Sequence, residues 1–267
     1  MFSILRKQKL AENTFEMEVH APEMAKKARP GQFVMLRIDE TGERIPLTIA
    51  DYSKSTITLV FLVVGYTTEK LSRLKKGDVL LDFVGPLGKP SLVKEYGTVC
   101  LIGGGLGIAP IYPIAKILKK AGNSVICILG AKSKVHLFWE DKFKEVSDKL
   151  LIATDDGSKG HKGFVSDILK DLINRKKPNL VIAIGPPIMM KVISQLTKGL
   201  IKTTVSLNPI MVDGMGMCGG CRVVIGENTK FACVDGPEFD GHKVDWNELM
   251  NRNKFYEKEE HKCKLGD

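Results

Sequence analysis

The hydrophobic period of the chain switches once, close to residue 97, and no other feature restricts the possible folds as much. Before the switch, apolar side chains recur at every second position. Residues 14–20 set Phe15, Met17 and Val19 against Glu16 and Glu18, the pattern of a half-buried strand. Further strands are expected at 32–38, 46–51, 56–64 and 78–84, divided by turn signals at Pro30-Gly31, Thr41-Gly42, Lys76-Gly77 and Gly85-Pro86. Many short strands at this spacing predict a small antiparallel β-barrel. Beyond the switch, apolar strands at 99–102, 124–129, 150–154, 180–184 and 202–206 alternate with helical patterns at 108–121, 136–147, 163–175 and 187–199. Strands this apolar, joined by helices, predict an open α/β parallel sheet covered on both faces. Past Leu207 come a cysteine-rich segment and a short charged tail. The expected organisation is a β-barrel domain over 1–96, an α/β domain over 97–206 and a small C-terminal domain over 207–267.

Composition excludes several classes. A chain of 267 residues, 43% hydrophobic and 27% charged, is neither disordered nor a coiled-coil rod. Its net charge of +9 comes from lysines interleaved with acids, as in Lys142-Phe143-Lys144-Glu145, and no basic run carries interleaved aromatics. That reads as a solvated surface, with no nucleic-acid partner. The longest charge-free stretch, 98–115, holds four glycines and two prolines, so it reads as strand, loop and helix rather than a membrane span. The N-terminus lacks the apolar run and cleavage site of a signal peptide, and the expected location is cytoplasmic.

Three constellations carry chemistry. The run Gly103-Gly-Gly-Leu-Gly-Ile-Ala-Pro110 follows an apolar strand and opens a helix. There, backbone N–H groups and the helix dipole suit a pyrophosphate. No Walker lysine follows, which weakens an NTPase reading. Gly185-Pro186 lies at another strand end of the same sheet, where such folds bind ligands. A second constellation, Arg44-Ile45-Pro46-Leu47-Thr48, places a guanidinium beside a rigid proline in an arginine-poor chain. Gly65-Tyr66-Thr67-Thr68 adds a glycine and two hydroxyls at a strand-to-helix turn.

The third is the most specific. Asp213, Cys218, Cys221 and Cys233 read D-x4-C-x2-C-x11-C, and four glycines fall within residues 213–221. Plant-type [2Fe–2S] ferredoxins use C-x4-C-x2-C…C, so Asp213 stands at the first cysteine position. Cys263 is the alternative fourth ligand. The rival metal is zinc, with Asp213 or His242 completing the set. Cys100 and Cys127, inside apolar runs, read as small buried hydrophobes.

Barrel, Arg-x-Pro-x-Thr, glycine run and C-terminal cysteine cluster, in that order, resemble the ferredoxin–NADP reductase-like flavoproteins, within the branch of dihydroorotate dehydrogenase electron-transfer subunits. The segment from Ser206 to Gly214, Cys218-Gly-Gly-Cys221 and Phe231-Ala-Cys233-Val-Asp-Gly-Pro237 are closer still to the small subunits of NADH-dependent ferredoxin:NADP oxidoreductases, also described as sulfide dehydrogenases. Those subunits are similar in carrying Asp in the cluster where related ones carry Cys. The resemblance spans essentially the whole chain.

It implies FAD on the barrel, with Arg44 on the phosphates, Pro46, Leu47 and Thr48 along the isoalloxazine and ribityl, and Gly65, Thr67 and Thr68 at the pyrophosphate turn. Thr67 replaces a glycine common there. It implies NAD(H) on the α/β domain, approached by Gly104, Gly105 and Gly107 and bordered at the nicotinamide by Gly185 and Pro186. Ile184 stands where many members have Cys. No catalytic acid or base is implied. The implied partner is a larger subunit carrying a second FAD and [4Fe–4S] clusters, giving a heterodimer that reaches ferredoxin through that subunit. The alternatives are the electron-transfer subunit of dihydroorotate dehydrogenase, which expects four cysteine ligands, a sulfide or polysulfide reductase subunit, and a zinc-bearing nucleotide-binding regulatory module. Lys132 and Lys134, with no acid until Glu140, would suit an NADP 2′-phosphate, whereas the resemblance favours NAD. The charged tail, with an amphipathic stretch around Trp246 to Met250, is a candidate docking surface or a packing cap.

Overall fold

The computed structural model describes residues 2–254. Its first sheet comprises β1 (Phe2–Ala11), β2 (Thr14–His20), β3 (Phe33–Arg37), β4 (Ile45–Tyr52), β5 (Thr56–Leu62), β6 (Val79–Leu80) and β7 (Asp82–Leu87). The order is β6-β1-β2-β5-β4-β3-β7, with every pair antiparallel. The two edge strands are separated in sequence by Leu81 alone, whose N–H donates to the Ile38 carbonyl. The sheet therefore curls back on itself into the nearly closed barrel expected from its alternation. Met17, Val34, Leu36, Ile49, Leu59 and Phe61 fill the interior. Helices α1 (Pro22–Ala25) and α2 (Tyr66–Arg73) add Met24, Ala25 and Leu71 to this core.

The second sheet comprises β8 (Thr98–Gly104), β9 (Ser124–Ala131), β10 (Lys149–Thr154), β11 (His161–Lys162), β12 (Leu180–Ile184), β13 (Lys202–Ser206) and, after the hairpin β14 (Arg222–Ile225) and β15 (Asn228–Phe231), β16 (Glu238–Asp240). Its order is β11-β10-β9-β8-β12-β13-β16, and only the β13–β16 pairing is antiparallel. Both faces are covered. Leu101 faces the layer of α3 (Ile108–Lys120) and α4 (Glu140–Val146), while Ile102 faces α5 (Val165–Arg175) and α6 (Pro187–Thr197). Helix α4 starts four residues later than its apolar pattern because Trp139 has φ +60°. Helix α5 starts after Gly163 (φ +132°), and α6 stops before Gly199 (φ +72°). These left-handed values cannot continue a helix.

Several elements escape the sequence pattern, the short α1 and β11 among them. In β1 the exposed Arg6, Gln8 and Lys9 and the half-buried Lys7 dilute the alternation. The β14–β15 hairpin and the short α7 (Ala232–Asp235) lie within the cysteine segment, and β16 exists only through its distant partner β13. The amphipathic stretch forms α8 (Trp246–Arg252), which buries Trp246 and Leu249 in the core shared with α6 and β14. Its apolar face is therefore a packing cap on the α/β unit. The rest of the tail, with Cys263, lies outside the described residues.

Glu16 departs from the alternation and is 1% exposed. Its face of β2 is covered by the α/β unit rather than by water. Trp139 Nε1 donates to Glu16 Oε2 at 2.9 Å and Gln8 Nε2 donates to Oε1 at 3.1 Å. Arg6 pairs with Oε1, and Lys142 stands 3.6 Å from Oε2 and 3.9 Å from the centre of the Trp139 ring. Lys116 on α3 adds an ion pair to Asp51 on β4 at 3.2 Å. A bulky residue with positive φ is uncommon, and here the strained Trp139 supplies the donor that links the two halves.

Candidate functional site

Strand β4 carries the centre of the site. Leu47 and Ile49 face the barrel core, so Pro46, Thr48 and Ala50 face outward. Opposite residues of an antiparallel pair share a face, and Met35 pairs with Pro46 while Phe33 pairs with Thr48. Phe33 and Met35 pack in one cluster with Met211, Cys221, Ala232 and Cys233. At the other end, Ala50 is buried in the core that contains Ile108 and Ile111 of α3. One outer face of the barrel thus runs from the cysteine loop to the glycine loop. Strands lie about 4.8 Å apart, so the cysteine loop, seated on β3, is one or two strand spacings from β4.

The residues expected along this face are arranged unequally. Pro46 and Thr48 are half-buried and outward, whereas the Leu47 side chain turns into the barrel and offers the outer face only its backbone. Arg44 pairs with Asp82 of β7 at 2.6 Å. Gly65 precedes α2, and a Cβ there would meet nothing within 4 Å. Thr68 Oγ1 accepts the N–H groups of Val64 and Gly65 at 2.9 and 3.1 Å, so this hydroxyl caps the helix. Thr67 is buried.

In the α/β sheet the chain steps outward from β8 through β9 to β10, then crosses to β12 and β13 on the other side. The topological switch lies between β8 and β12, and Gly104–Gly107 and Gly185-Pro186 sit at their carboxyl ends. A Cβ on Gly107 would lie 2.0 Å from the Ile184 carbonyl oxygen, and one on Gly104 would lie 2.4 Å from the Met189 sulfur. Gly185 is likewise 2.6 Å from Met189. These three let backbone and side chain close up. Gly105 differs: φ is +56° and its Cβ direction is open.

At the end of β9, Lys132 and Lys134 are exposed. Asp155 N–H donates to the Ala131 carbonyl and Asp156 N–H to the Lys132 carbonyl, at 3.1 and 3.2 Å. Two acids therefore stand where the linear sequence shows only lysines. Finding them requires the register of β10 on β9.

The four ligand candidates converge as two pairs. Hairpin β14–β15 pairs Arg222 with Phe231, and the Ala232 N–H donates to the Cys221 carbonyl at 3.0 Å. The hairpin and Ala232 make up the eleven residues between the cysteines, and they return Cys233 to Cys221 with 3.2 Å between sulfurs. Asp213 accepts the N–H groups of Met215, Met217 and Cys218 at 2.7, 3.0 and 2.7 Å. Those backbone bonds hold its carboxyl below the usual range, as a charged acceptor. The Gly220 N–H points at Cys218 Sγ and the Cys233 N–H at Cys221 Sγ, each at 3.4 Å. Burial, the adjacent Cys221 and the Asp213 charge push the Cys233 thiol up, while the Gly216 N–H opposes them.

Among the described residues, no three His, Cys, Asp or Glu side chains are set around a single ion. A two-iron cluster takes two protein ligands per iron, and the pairs Asp213/Cys218 and Cys221/Cys233 fit that demand. His242 is engaged elsewhere, with Nε2 3.1 Å from Thr197 Oγ1 and Nδ1 facing Asp240. Cys100 and Cys127 are fully buried, and burial pushes the Cys127 thiol up to about 12, so they act as packing.

Barrel, nucleotide-type sheet and cysteine loop define the class as an oxidoreductase subunit for electron transfer, with an NAD-binding domain and an iron–sulfur domain. The family model for the iron–sulfur cluster binding domain of dihydroorotate dehydrogenase B matches residues 208–245, and that for the oxidoreductase NAD-binding domain matches residues 101–195. The chain is 52% identical to a dihydroorotate dehydrogenase B (NAD(+)) electron transfer subunit homolog of Thermotoga maritima, covering 96% of this chain and 92% of that protein. It is 37% identical to the electron transfer subunit of the Desulforamulus reducens enzyme, covering 89% and 94%. A chain from the structure of NADH-dependent reduced ferredoxin-NADP oxidoreductase superposes with a TM-score of 0.94 at 50% identity, covering 98% and 96%. The chain belongs to the family of dihydroorotate dehydrogenase B electron transfer subunits and their homologues. Among the described residues no helix is long and apolar enough to cross a membrane.

Proposed function

We propose that the chain is the NAD(H)-reacting subunit of a reversible electron-bifurcating complex, with FAD held by residues 1–96, NAD(H) by 97–206 and a [2Fe–2S] cluster by 207–267. The observation that carries this reading is the outer face of β4, continuous from the cysteine pairs to the glycine loop. When bound, the flavin supplies the conversion between a hydride pair and single electrons. The residues of the chain do the positioning. Pro46 and Thr48 form the floor for the ring system and ribityl, with Leu47 contributing backbone. Arg44, Gly65 and Thr67 take the phosphates at the N-terminus of α2, where the helix dipole favours an anion, and Thr68 caps that helix. Gly105 meets the nicotinamide dinucleotide, while Gly104, Gly107, Gly185 and Pro186 shape the crevice it enters. Asp155 and Asp156 support NAD over NADP, because their charge opposes a 2′-phosphate. Asp213, Cys218, Cys221 and Cys233 hold the cluster.

The partner is a larger subunit carrying a second FAD and [4Fe–4S] clusters, and ferredoxin is reached through it. Val212, Met215, Met217 and Val234 support this, forming an exposed apolar group around the cysteine loop, with Met217 85% exposed. A patch of this kind marks an interaction surface. The oxygen donor at Asp213 favours this complex over a dihydroorotate dehydrogenase, whose electron-transfer subunit is expected to use four thiolates. The test is anaerobic assay of the purified complex with NADPH, NAD and ferredoxin. Exchange between NADPH and NAD that depends on ferredoxin is the expected result. Dihydroorotate-driven NAD reduction without it would assign the alternative.

A further inference from the structure

Arg252, in the last turn of α8, reaches across to the cysteine loop. Its Nη2 donates to the Gly220 carbonyl at 3.1 Å, inside the turn Cys218-Gly-Gly-Cys221. The side chain is 22% exposed, and Nε is buried without a hydrogen-bond partner among the described residues. The nearest carboxylate atom, Glu248 Oε1, is 3.6 Å away, and Glu248 Oε2 is also buried without a partner among the described residues. Trp246 and Leu249 anchor the helix in the α/β core and so fix where the guanidinium stands. Partly buried charge with incomplete pairing costs stability. Its placement against a loop of cluster ligands therefore calls for a reason other than packing.

The peptide geometry supplies one. The 220–221 bond is trans, so its C=O and N–H point in opposite directions. With the Gly220 carbonyl aimed at Arg252, the Cys221 N–H is turned away from α8, and it donates to no protein acceptor among the described residues. Reduction of an iron–sulfur cluster adds one negative charge, and its potential follows nearby charge and hydrogen bonds to sulfur. A partly buried cation is screened less by salt than an exposed one.

We propose that Arg252 is a positioning residue for the cluster: it orients the Gly220–Cys221 peptide and, with its fixed charge, raises the cluster's midpoint potential. This rests on the reading of residues 213–233 as a [2Fe–2S] site. The test is an EPR-monitored redox titration of the complex carrying wild-type, Arg252→Lys, Arg252→Gln or Arg252→Met chains, with iron assayed on each sample. Lys keeps the charge, Gln keeps a donor for Gly220, and Met keeps only bulk. The expected result is two irons per chain throughout, a midpoint near wild type for Lys, and a lower midpoint for Gln and lower still for Met. If Met fails to retain iron, the Gln variant decides. Unmoved midpoints in iron-replete Gln and Met variants would overturn the role of Arg252. A wild-type chain without iron would instead remove the cluster reading on which it rests.

Discussion

Four glycines lie within residues 103–107 and four more within 213–221, yet one of the first group has positive φ against three of the second. At Gly103, Gly104 and Gly107 the backbone is ordinary and the space is not: a Cβ would meet Ile111, Met189 or the Ile184 carbonyl within 2.8 Å. At Gly214, Gly216 and Gly219 φ is +75°, +87° and +71°, and Gly219 has no neighbour closer than 3.8 Å. The first loop uses glycine to bring helix and strand together at the sheet switch point. The second uses it to fold the chain around sulfur atoms with N–H groups aimed inward. Two stretches that read alike as glycine-rich therefore answer different physical demands. The first needs volume at ordinary torsion. The second needs positive φ, with added crowding at Gly214, where a Cβ would lie 2.6 Å from Met35, and at Gly216, 3.0 Å from Val234.

Substitutions separate the two demands. Gly107→Ala should have the largest effect, because the 2.0 Å approach is to backbone that cannot rotate away. A loss of about 3 kcal/mol or more in urea unfolding is expected, and a loss under about 1 kcal/mol would break the comparison. Gly219→Ala tests torsion without crowding. Its cost should be about 1–2 kcal/mol, with thermal unfolding still cooperative and iron per chain reduced. Gly105→Ala combines a positive φ with open space, so stability should fall by about 1 kcal/mol. Titration calorimetry should show NADH affinity falling with it, since the methyl group stands where the ligand approaches. Last, the double substitution Lys132→Ala with Lys134→Ala should leave NADH affinity within about twofold, a change under about 0.5 kcal/mol. A large loss confined to NADPH would show that the lysines, not Asp155 and Asp156, set the dinucleotide.

The change of rhythm at residue 97 could be read in advance because it is local, and so could the spacing that puts three of the four proposed ligands close together. Asp213, Cys218 and Cys221 lie on one short loop, and the hairpin that brings Cys233 back consumes the residues between. Other features depended on what covers an element. The alternation in β2 marks Glu16 as facing away from the barrel core, but whether that face meets water or Trp139 is a matter of docking. The same limit applies to Leu47, expected along the ligand and found turned into the barrel, and to the stretch from Trp246, whose apolar face is spent on α6 and β14.

The sequence by itself determined the kind of each half and the spacing of the proposed donors, since hydrophobic period and residue spacing act over a few residues of chain. Tertiary structure alone decided that the outer face of β4 links the cysteine loop to the glycine loop, that Asp155 and Asp156 stand beside Lys132, and that Arg252 reaches Gly220. Each of these joins residues distant along the chain or on separate elements. Such contacts are fixed by strand register and by the packing of one finished surface on another, which no local pattern records.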